Sequence, residues 1–316
     1  MLSDVLKMLA EVVPENIALV RADSSYQIPK GFMSWDKLSI LVGAALEFTN
    51  GRNPGAQDAA TFLHNHRLSL WFLQRAPIYT MRLELLRAFQ ATDVVHDNTL
   101  MADLDPPLST FMLLFPSNSI VTPEGYPLDF AVVHLADHDH PDRSTARRLG
   151  LEAQSLKVNP GAERNLHWSS IDGGEVVWFG GMDVDTDGNL LEPDGRQLGD
   201  TALTEADYAF TRGMRSVIIQ TVLALTYRPD LLEAEPTPEP TRANRPGRAR
   251  ATPKVLRPRW LGNSTKKGPS LPKVVPGHHS SPQAHWRRGH WRRVSVGPRD
   301  QQGRKWVWIQ PTFVNG

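Results

Sequence analysis

NLHWSSIDGGEVVWFGGM, residues 165–182, is the stretch that most directly indicates the fold of this chain. Two runs that contain apolar and β-branched residues, 165–172 and 175–182, flank Gly173 and Gly174. A glycine pair at this position is favoured in tight hairpins, whose two-residue turns need residues that tolerate a positive φ. The pattern therefore predicts an antiparallel hairpin with its turn at these two glycines.

Two further strands are predicted immediately before this hairpin. Residues 110–115 (TFMLLF) and 128–135 (LDFAVVHL) are short apolar runs bounded by Pro and Gly, which is typical of buried strands. The intervening VTPEGYP, residues 121–127, is rich in turn-forming residues.

Helical patterns stand on both sides of these strands. The longest predicted helix has Thr204 as its N-cap, followed by acidic residues that suit the positive end of the helix dipole. Helices followed by strands and then by a long helix predict an α+β fold rather than an alternating α/β fold. The predicted helices span residues 3–13, 35–48, about 57 to 76, 78–91 and 204–227.

The charge of the chain is divided between its two ends, although the net charge of all 316 residues is only +1. Residues 1–240 carry 18 Lys and Arg against 33 Asp and Glu, whereas residues 241–316 carry 17 against a single acid, Asp300. Pro, Thr and charged residues dominate from about residue 229 onward, which is typical of a linker. We therefore predict an acidic α+β body (1–230), a Pro-rich linker (231–252) and a small β-rich basic C-terminal module (253–316).

The basic module contains the repeat HWRRGHWRR at residues 285–293. Guanidinium groups pair with phosphates and indoles stack on bases, so the repeat favours RNA as a partner. The alternative is that the tryptophans pack in a core and the arginines pair with carboxylates of the acidic body. In a regular strand the two copies would face opposite sides, unless Gly289 permits a bend. The predicted RNA-binding residues are His285, Trp286, Arg287, Arg288, His290, Trp291, Arg292, Arg293, Arg304 and Lys305.

Three weaker patterns concern metals and catalysis. His134, His138 and His140 lie close enough in sequence to ligate a divalent metal. Asp183, Asp185 and Asp187 match the start of a calcium loop, but the segment DTDGN fits a hairpin turn better. His285 and His290 could act as general acid and base in RNA cleavage, which makes a nuclease the alternative function.

Other enzyme classes leave no signature in this sequence. It has no Gly-rich phosphate loop, no Gly-x-Ser-x-Gly elbow and no cysteine, so we lean towards a protein that is not an enzyme and expect no cofactor. No basic leader or apolar run of roughly 18–20 residues is present, and we expect a cytoplasmic protein without a membrane partner.

The segment SPQAHWRRGHWRRVSVGPR (281–299), followed by RKWVWIQPTFVN (304–315), resembles proteins of phages, plasmids and other mobile elements. It is similar to the type V-A anti-CRISPR proteins that lower synthesis of the Cas12 effector. In that family the protein recognises the N-terminal peptide of the nascent effector and triggers loss of its messenger RNA. The resemblance implies two partners, a polypeptide that would be a nascent chain on the ribosome and RNA, but it identifies no peptide-binding residue.

Overall fold

A computed structural model describes the parts of the chain from which the fold follows. These are residues 28–49, 51, 59–74, 76–94, 104, 110–137, 164–184, 190–191, 195–196, 203–233, 258–262, 285–298 and 303–314. The predicted helix over residues 3–13 and most of the predicted linker, from residue 234, lie outside these ranges. The boundaries of the predicted body, linker and module stay a prediction.

The described ranges contain four α-helices and thirteen strands. The helices are α1 (Trp35–Thr49), α2 (Ala59–Leu73), α3 (Leu83–Gln90) and α4 (Glu205–Tyr227), and a short 3-10 helix covers Pro229–Leu231. The strands are β1 (Ile78–Met81), β2 (Thr92–Asp93), β3 (Thr110–Leu114), β4 (Phe130–Asp137), β5 (Arg164–Ile171), β6 (Val177–Val184), β7 (Leu190–Leu191), β8 (Gly195–Arg196), β9 (Arg259–Leu261), β10 (His285–Arg287), β11 (Gly289–Val296), β12 (Gly303–Ile309) and β13 (Thr312–Val314). The predicted α+β class is confirmed.

A mixed sheet of eight strands forms the centre of the fold, in the order β7-β6-β5-β4-β3-β1-β9, with β8 also paired to β6. Strands β3 to β6 are antiparallel neighbours, whereas β1 runs parallel to both β3 and β9. The predicted hairpin is confirmed, since β5 and β6 pair from Arg164↔Val184 to Ile171↔Val177. Strand β9 comes from the predicted basic module, yet it pairs within the central sheet.

Two apolar cores lie on the two faces of this sheet, because successive strand residues point to opposite sides. Helices α1 and α2 cover one face, where Leu38 and Trp71 pack on Met112 and Val132. Helices α3 and α4 cover the other face. The residues of that second core include Leu85, Phe89, Phe111, Val133, Trp168, Trp178, Ile218, Val222, Trp291, Trp306 and Trp308.

The single helix predicted over residues 78–91 is wrong for its first four residues. Ile78–Met81 form strand β1, and helix α3 begins only at Leu83, after the extended backbone of Arg82. All four strand residues are buried and pair with β3 on one side and β9 on the other. Pairing on two edges therefore outweighs a helical periodicity that is intrinsically weak over four residues.

The turn between β5 and β6 is tight, but its two glycines serve packing rather than a positive φ. Glu175 carries the positive φ of 65°, whereas Gly173 and Gly174 do not appear among the positive-φ residues. A Cβ on Gly174 would lie 2.9 Å from the Tyr126 ring, and one on Gly173 would lie 3.1 Å from Pro127 Cδ. The predicted reason for the glycines is therefore wrong: they allow the β3–β4 connection to lie against this turn.

Helix α4 begins where the sequence predicts. The Thr204 hydroxyl accepts from the Asp207 amide, and the Asp207 carboxylate accepts from the Thr204 amide at 2.7 Å, which forms a capping box. Among the described residues, no helix is both long enough and apolar enough to span a membrane.

Candidate nucleic-acid interface and a buried polar cluster

Strands β11 and β12 form an antiparallel pair that we call the C-terminal hairpin. Its register runs without interruption from His290↔Ile309 to Val296↔Gly303. The start of β11 also pairs in parallel with β2, and β12 contacts helix α4. The hairpin is therefore attached to the body through a three-stranded sheet.

The tryptophans of the C-terminal hairpin face the body. Trp291, Trp306 and Trp308 are 6%, 8% and 4% exposed. Trp291 and Trp308 stack with ring centroids 6.0 Å apart, and Trp308 contacts Phe89 of α3 edge to face at 5.2 Å. The ring of Trp291 is enclosed. This residue therefore packs in the core, which is the alternative to base stacking given in the sequence analysis. The predicted alternation of β12 is confirmed, with Val307 and Ile309 half-exposed on the opposite side.

The two copies of the repeat pair with different strands. His285–Arg287 pairs with β13, whereas Gly289–Val296 pairs with β12 and β2, and Arg288 lies between them. The pairing partner therefore changes at Arg288, next to the glycine that the sequence analysis identified as able to permit a bend. A Cβ on Gly289 would overlap Thr92 of β2 and lie 2.7 Å from Pro311 Cδ. The close approach of β2 and Pro311 to the start of β11 therefore requires glycine at this position.

Six of the predicted RNA-binding residues are exposed cations: Arg287, Arg288, Arg292, Arg293, Arg304 and Lys305. Arg288 Nη1 lies 3.1 Å from Asp93 Oδ1, with 76% and 66% of the two side chains exposed. An ion pair this open is weak and does not hold the cation away from a phosphate. The cationic groups of the hairpin therefore remain accessible to solvent.

The two histidines predicted as a catalytic pair lie on separate strands. His285 is on β10 and pairs with Val314, whereas the half-exposed His290 is on β11 and pairs with Ile309.

A cluster of polar residues is buried between helix α2 and the central sheet; we call it the buried polar cluster. His64 Nδ1 and Ser169 Oγ are 3.0 Å apart, and His134 Nδ1 and Thr110 Oγ1 are 2.8 Å apart. His167 Nε2 lies 2.8 Å from Asp183 Oδ1, within ion-pair distance but not aligned as a hydrogen bond. The full set is His64, Arg67, Thr110, His134, His167, Ser169 and Asp183.

Burial shifts the pKa values of two members of this cluster, His64 and Arg67. It lowers the pKa of the His64 imidazole to about 3, and the Arg67 cation acts in the same direction. Burial also lowers the pKa of Arg67 to about 10, against the opposing effect of the Asp183 carboxylate. At neutral pH, Arg67 is therefore charged and His64 is neutral.

The contact between Ser169 and His64 resembles a nucleophile with its base, but its surroundings do not suit catalysis. A general base works best with a pKa near the working pH, and that of His64 lies far below it. Ser169 is also fully buried. The cluster is better explained as polar packing inside the fold.

The predicted metal ligands are only partly within the described residues. His134 and Asp183 belong to the buried polar cluster, whereas His138, His140, Asp185 and Asp187 lie outside the described ranges. In the part of the chain that is described, no three His, Cys, Asp or Glu residues are placed to hold one metal ion.

The buried polar cluster was not predicted as a unit, although one signal pointed to it. His167 and Ser169 are two positions apart on β5, and His134 of β4 is paired directly with His167. Polar residues at alternate positions in an apolar strand share one face of the sheet. Only the packing of α2 on that face reveals that they are enclosed.

Comparison with known proteins assigns the chain to a family. No curated protein matches it. A family model described as "AcrVA2-like: Anti-CRISPR type V subtype A2 family" matches residues 79–316. This range includes helices α3 and α4 and all of the strands, except that it begins one residue after the start of β1. It excludes helices α1 and α2. The match covers about three quarters of the sequence, and the chain therefore belongs to the AcrVA2-like anti-CRISPR type V subtype A2 family.

Proposed function

We propose that this protein is an anti-defence factor of a mobile element that lowers expression of a target protein by binding RNA and a polypeptide. The RNA contact would be made by the C-terminal hairpin and the polypeptide contact by the acidic body. The observation that carries the proposal is the set of exposed cations on the hairpin, in a chain of an anti-CRISPR family.

The charge distribution supports RNA as the partner of the hairpin. Three exposed guanidinium groups lie on its two strands, Arg292, Arg293 and Arg304, and a fourth, Arg288, immediately precedes β11. Guanidinium groups bind phosphate oxygens in a bidentate manner. The surrounding sequence, residues 241–316, contains a single acid, so little of this charge is neutralised within the module.

An exposed apolar patch with acidic neighbours supports a polypeptide as the partner of the body. Val121 and Tyr126 are 47% and 45% exposed in the β3–β4 connection, and Val121 forms a bridge with Pro127. Exposed Glu124 and Glu175 flank this patch, where the Tyr126 ring lies against the β5–β6 turn. Apolar area rimmed by carboxylates fits a short basic peptide that carries an apolar side chain.

The RNA contact is tested by filter binding of the full chain to RNA over a series of salt concentrations. Each lost phosphate contact should lower the slope of log affinity against log salt by about 0.7–0.9. We expect the double variant Arg292→Ala/Arg293→Ala to lower both affinity and slope. The matched control is Arg87→Ala/Arg212→Ala, which removes two exposed arginines from α3 and α4. An unchanged slope in the hairpin variant contradicts the RNA contact.

The effect on expression is tested in cells that produce a tagged Cas12 effector of a type V-A system. Wild-type protein should lower the effector and its messenger RNA, and the hairpin variant should lower them less. A second reporter that lacks the N-terminal coding region of the effector serves as the control. Equal loss of both reporters would contradict recognition of a specific polypeptide.

The contribution of the apolar patch is tested with Tyr126→Ser. We expect this variant to retain RNA binding and to bind a peptide from the effector N-terminus more weakly. Unchanged peptide binding would place the polypeptide site elsewhere on the body.

A further inference from the structure

Two short segments that are distant in sequence bind each other at the edge of the central sheet; we call them the clasp. The first is residues 231–233, after helix α4, and the second is residues 259–262, which contain strand β9. Residues 234–257, which separate the two segments along the chain, lie outside the described ranges. The clasp therefore fixes both ends of that intervening segment at one place in the fold.

Backbone hydrogen bonds join the two segments of the clasp. The Gly262 amide donates to the Leu231 carbonyl at 2.8 Å. The Glu233 amide donates to the Trp260 carbonyl, also at 2.8 Å, and an antiparallel bridge lies between these two bonds. The two segments are therefore paired as the strands of a β-hairpin are, with residues 234–257 in the place of its loop along the chain.

Side chains add to this pairing next to the intervening segment. The Glu233 carboxylate accepts a hydrogen bond from the Trp260 amide at 3.1 Å. The Arg259 guanidinium donates to the Glu233 carbonyl through Nε at 3.1 Å and through Nη2 at 2.7 Å. Hydrogen bonds with an ionised donor or acceptor are stronger than those between neutral groups. The clasp is therefore closed by charged groups at the end that leads into residues 234–257.

The second segment of the clasp is also part of the sheet of the body. Strand β9 pairs in parallel with β1, and the Arg82 amide donates to the Leu261 carbonyl at 3.0 Å. Leu261 is fully buried, and the Arg82 guanidinium lies 4.6 Å from the centroid of the Trp260 ring. At Gly262, φ is 110° and a Cβ would lie 3.1 Å from Leu85 Cβ, so this close approach favours glycine. The start of the C-terminal part of the chain is therefore built into the body.

The C-terminal hairpin is a second, separate attachment to the body. Its tryptophans lie in the core that α3 and α4 cover, and Trp308 contacts Phe89 of α3. The start of β11 pairs with β2. The chain from Pro258 onward therefore contacts the body at two places, and both are formed by residues outside 234–257.

We propose that the body, up to Glu233, is a binding surface for the C-terminal part of the chain, from Pro258, and that this part stays bound when the chain is cut between them. Backbone hydrogen bonds and buried apolar side chains stabilise the assembly, whereas the covalent connection adds a high effective concentration. Such an attachment holds any ligand of the hairpin at a fixed position relative to the body. The inference concerns the attachment of the hairpin and not its ligand, so it stands or falls independently of the RNA contact.

The test cuts the folded protein inside the intervening segment. The cleavage sequence of a sequence-specific protease, flanked by Gly and Ser residues, is inserted between Gly247 and Arg248 of the full chain. After complete cleavage, shown on a denaturing gel, we expect both fragments to elute together in gel filtration at micromolar concentration. We also expect them to keep the near-UV circular dichroism of the uncut protein. Fragments that elute separately without denaturant would overturn the proposal.

A variant of the clasp tests its contribution separately from that of the hairpin. Gly262→Ala places a Cβ against Leu85 and Arg82 at a positive φ. The cut fragments of this variant should separate at a urea concentration lower by about 1 M or more. The matched control is Gly125→Ala, where φ is 90° but a Cβ meets nothing within 4 Å. If Gly262→Ala shifts the separation no more than this control does, the clasp does not hold the fragments and the proposal fails.

A shortened chain tests the same attachment without cleavage. Residues 235–257 are replaced by about four Gly and Ser residues, a length that suits the connection of two antiparallel neighbours. Because a shorter loop loses less entropy on closure, we expect the midpoint of thermal unfolding to stay unchanged or to rise. A lower midpoint would show that the attachment needs residues 235–257, which contradicts the proposal.

Discussion

Arg67 and Arg292 show how differently two regions of this protein use the same side chain. Arg67 is a buried residue of helix α2 in the same cluster as Asp183, and its pKa is lowered by burial. Arg292 lies on the C-terminal hairpin in contact with solvent. An enclosed charge contributes to stability only through fixed partners, whereas an open charge contributes little to stability and is free to bind an external anion.

The tryptophans show the reverse distribution within the hairpin. Trp291 and Trp308 are enclosed, whereas Arg292, which follows Trp291 directly, is exposed. Alternation along β11 turns Trp291 towards the body and Arg292 away from it, so adjacent residues of the repeat serve the core and the surface. The repeat therefore contributes both a structural anchor and candidate binding residues.

The largest expected effect comes from the enclosed arginine. Arg67→Met would leave Asp183 with less compensation inside the fold, and we expect the free energy of unfolding to fall by about 3–5 kcal/mol. The same substitution at Arg292 should change it by less than about 0.5 kcal/mol. Urea denaturation of both variants measures the difference. Equal effects at the two positions would show that the enclosure of Arg67 has no energetic consequence.

The second effect is a dependence of stability on pH that originates at His64. Its pKa in the folded protein is about 3, below the usual value of 6.5, so between these values the unfolded chain binds a proton that the folded chain does not. From pH 7 to pH 5 the free energy of unfolding should therefore fall by about 2 kcal/mol from this residue. His64→Asn, which keeps a polar group for Ser169 but does not titrate, should have a shallower pH dependence. Parallel curves for wild type and variant would contradict the assignment to His64.

Two exposed glycines differ in the space available for a side chain. Gly174→Ala would bring a Cβ within 2.9 Å of the Tyr126 ring, and we expect a loss of about 1–2 kcal/mol from overpacking. Gly213→Ala on α4, where a Cβ meets nothing within 4 Å, should instead stabilise the protein by about 0.5–1 kcal/mol. Thermal unfolding of the two variants gives the sign of each change, and a shift in the same direction for both would refute the packing explanation.

The smallest expected effect concerns the exposed ion pair between Asp93 of β2 and Arg288, which immediately precedes β11. Asp93→Ala removes the partner of Arg288, and the free energy of unfolding should change by less than about 0.5 kcal/mol because both groups are hydrated. The change should vanish in about 0.5 M salt, because at that concentration charges are screened over a distance of a few ångströms. A loss well above this size at either salt concentration would mean that Arg288 contributes to the body in the way that Arg67 does.

The fold was predictable from sequence where local signals agreed with tertiary contacts. Helix α4 has a capping residue and a long periodic pattern, and β3 to β6 have apolar runs bounded by turn residues. The prediction failed at Ile78–Met81, where pairing on two edges overrides a helical pattern. It also gave the wrong reason for Gly173 and Gly174, since a contact with a distant loop cannot be read from a local pattern.

For the candidate site, residue types were predictable and their directions were not. Guanidinium and indole groups in one repeat indicate a surface for phosphates and bases. Whether a given tryptophan meets RNA or the core depends on which side of β11 the body occupies, and the pairing of β11 with β2 decides this.

The α+β class, the central hairpin, the start of α4 and the opposite charges of the two ends of the chain are all readable from the amino-acid sequence. These properties depend on composition and on periodicities over a few residues, which act within one element. The sequence does not reveal that β9 joins the central sheet, that three tryptophans of the hairpin are enclosed or that Arg67 shares a buried cluster with Asp183. Each of these depends on contacts between residues far apart in sequence, and their free energies arise only when the elements pack together.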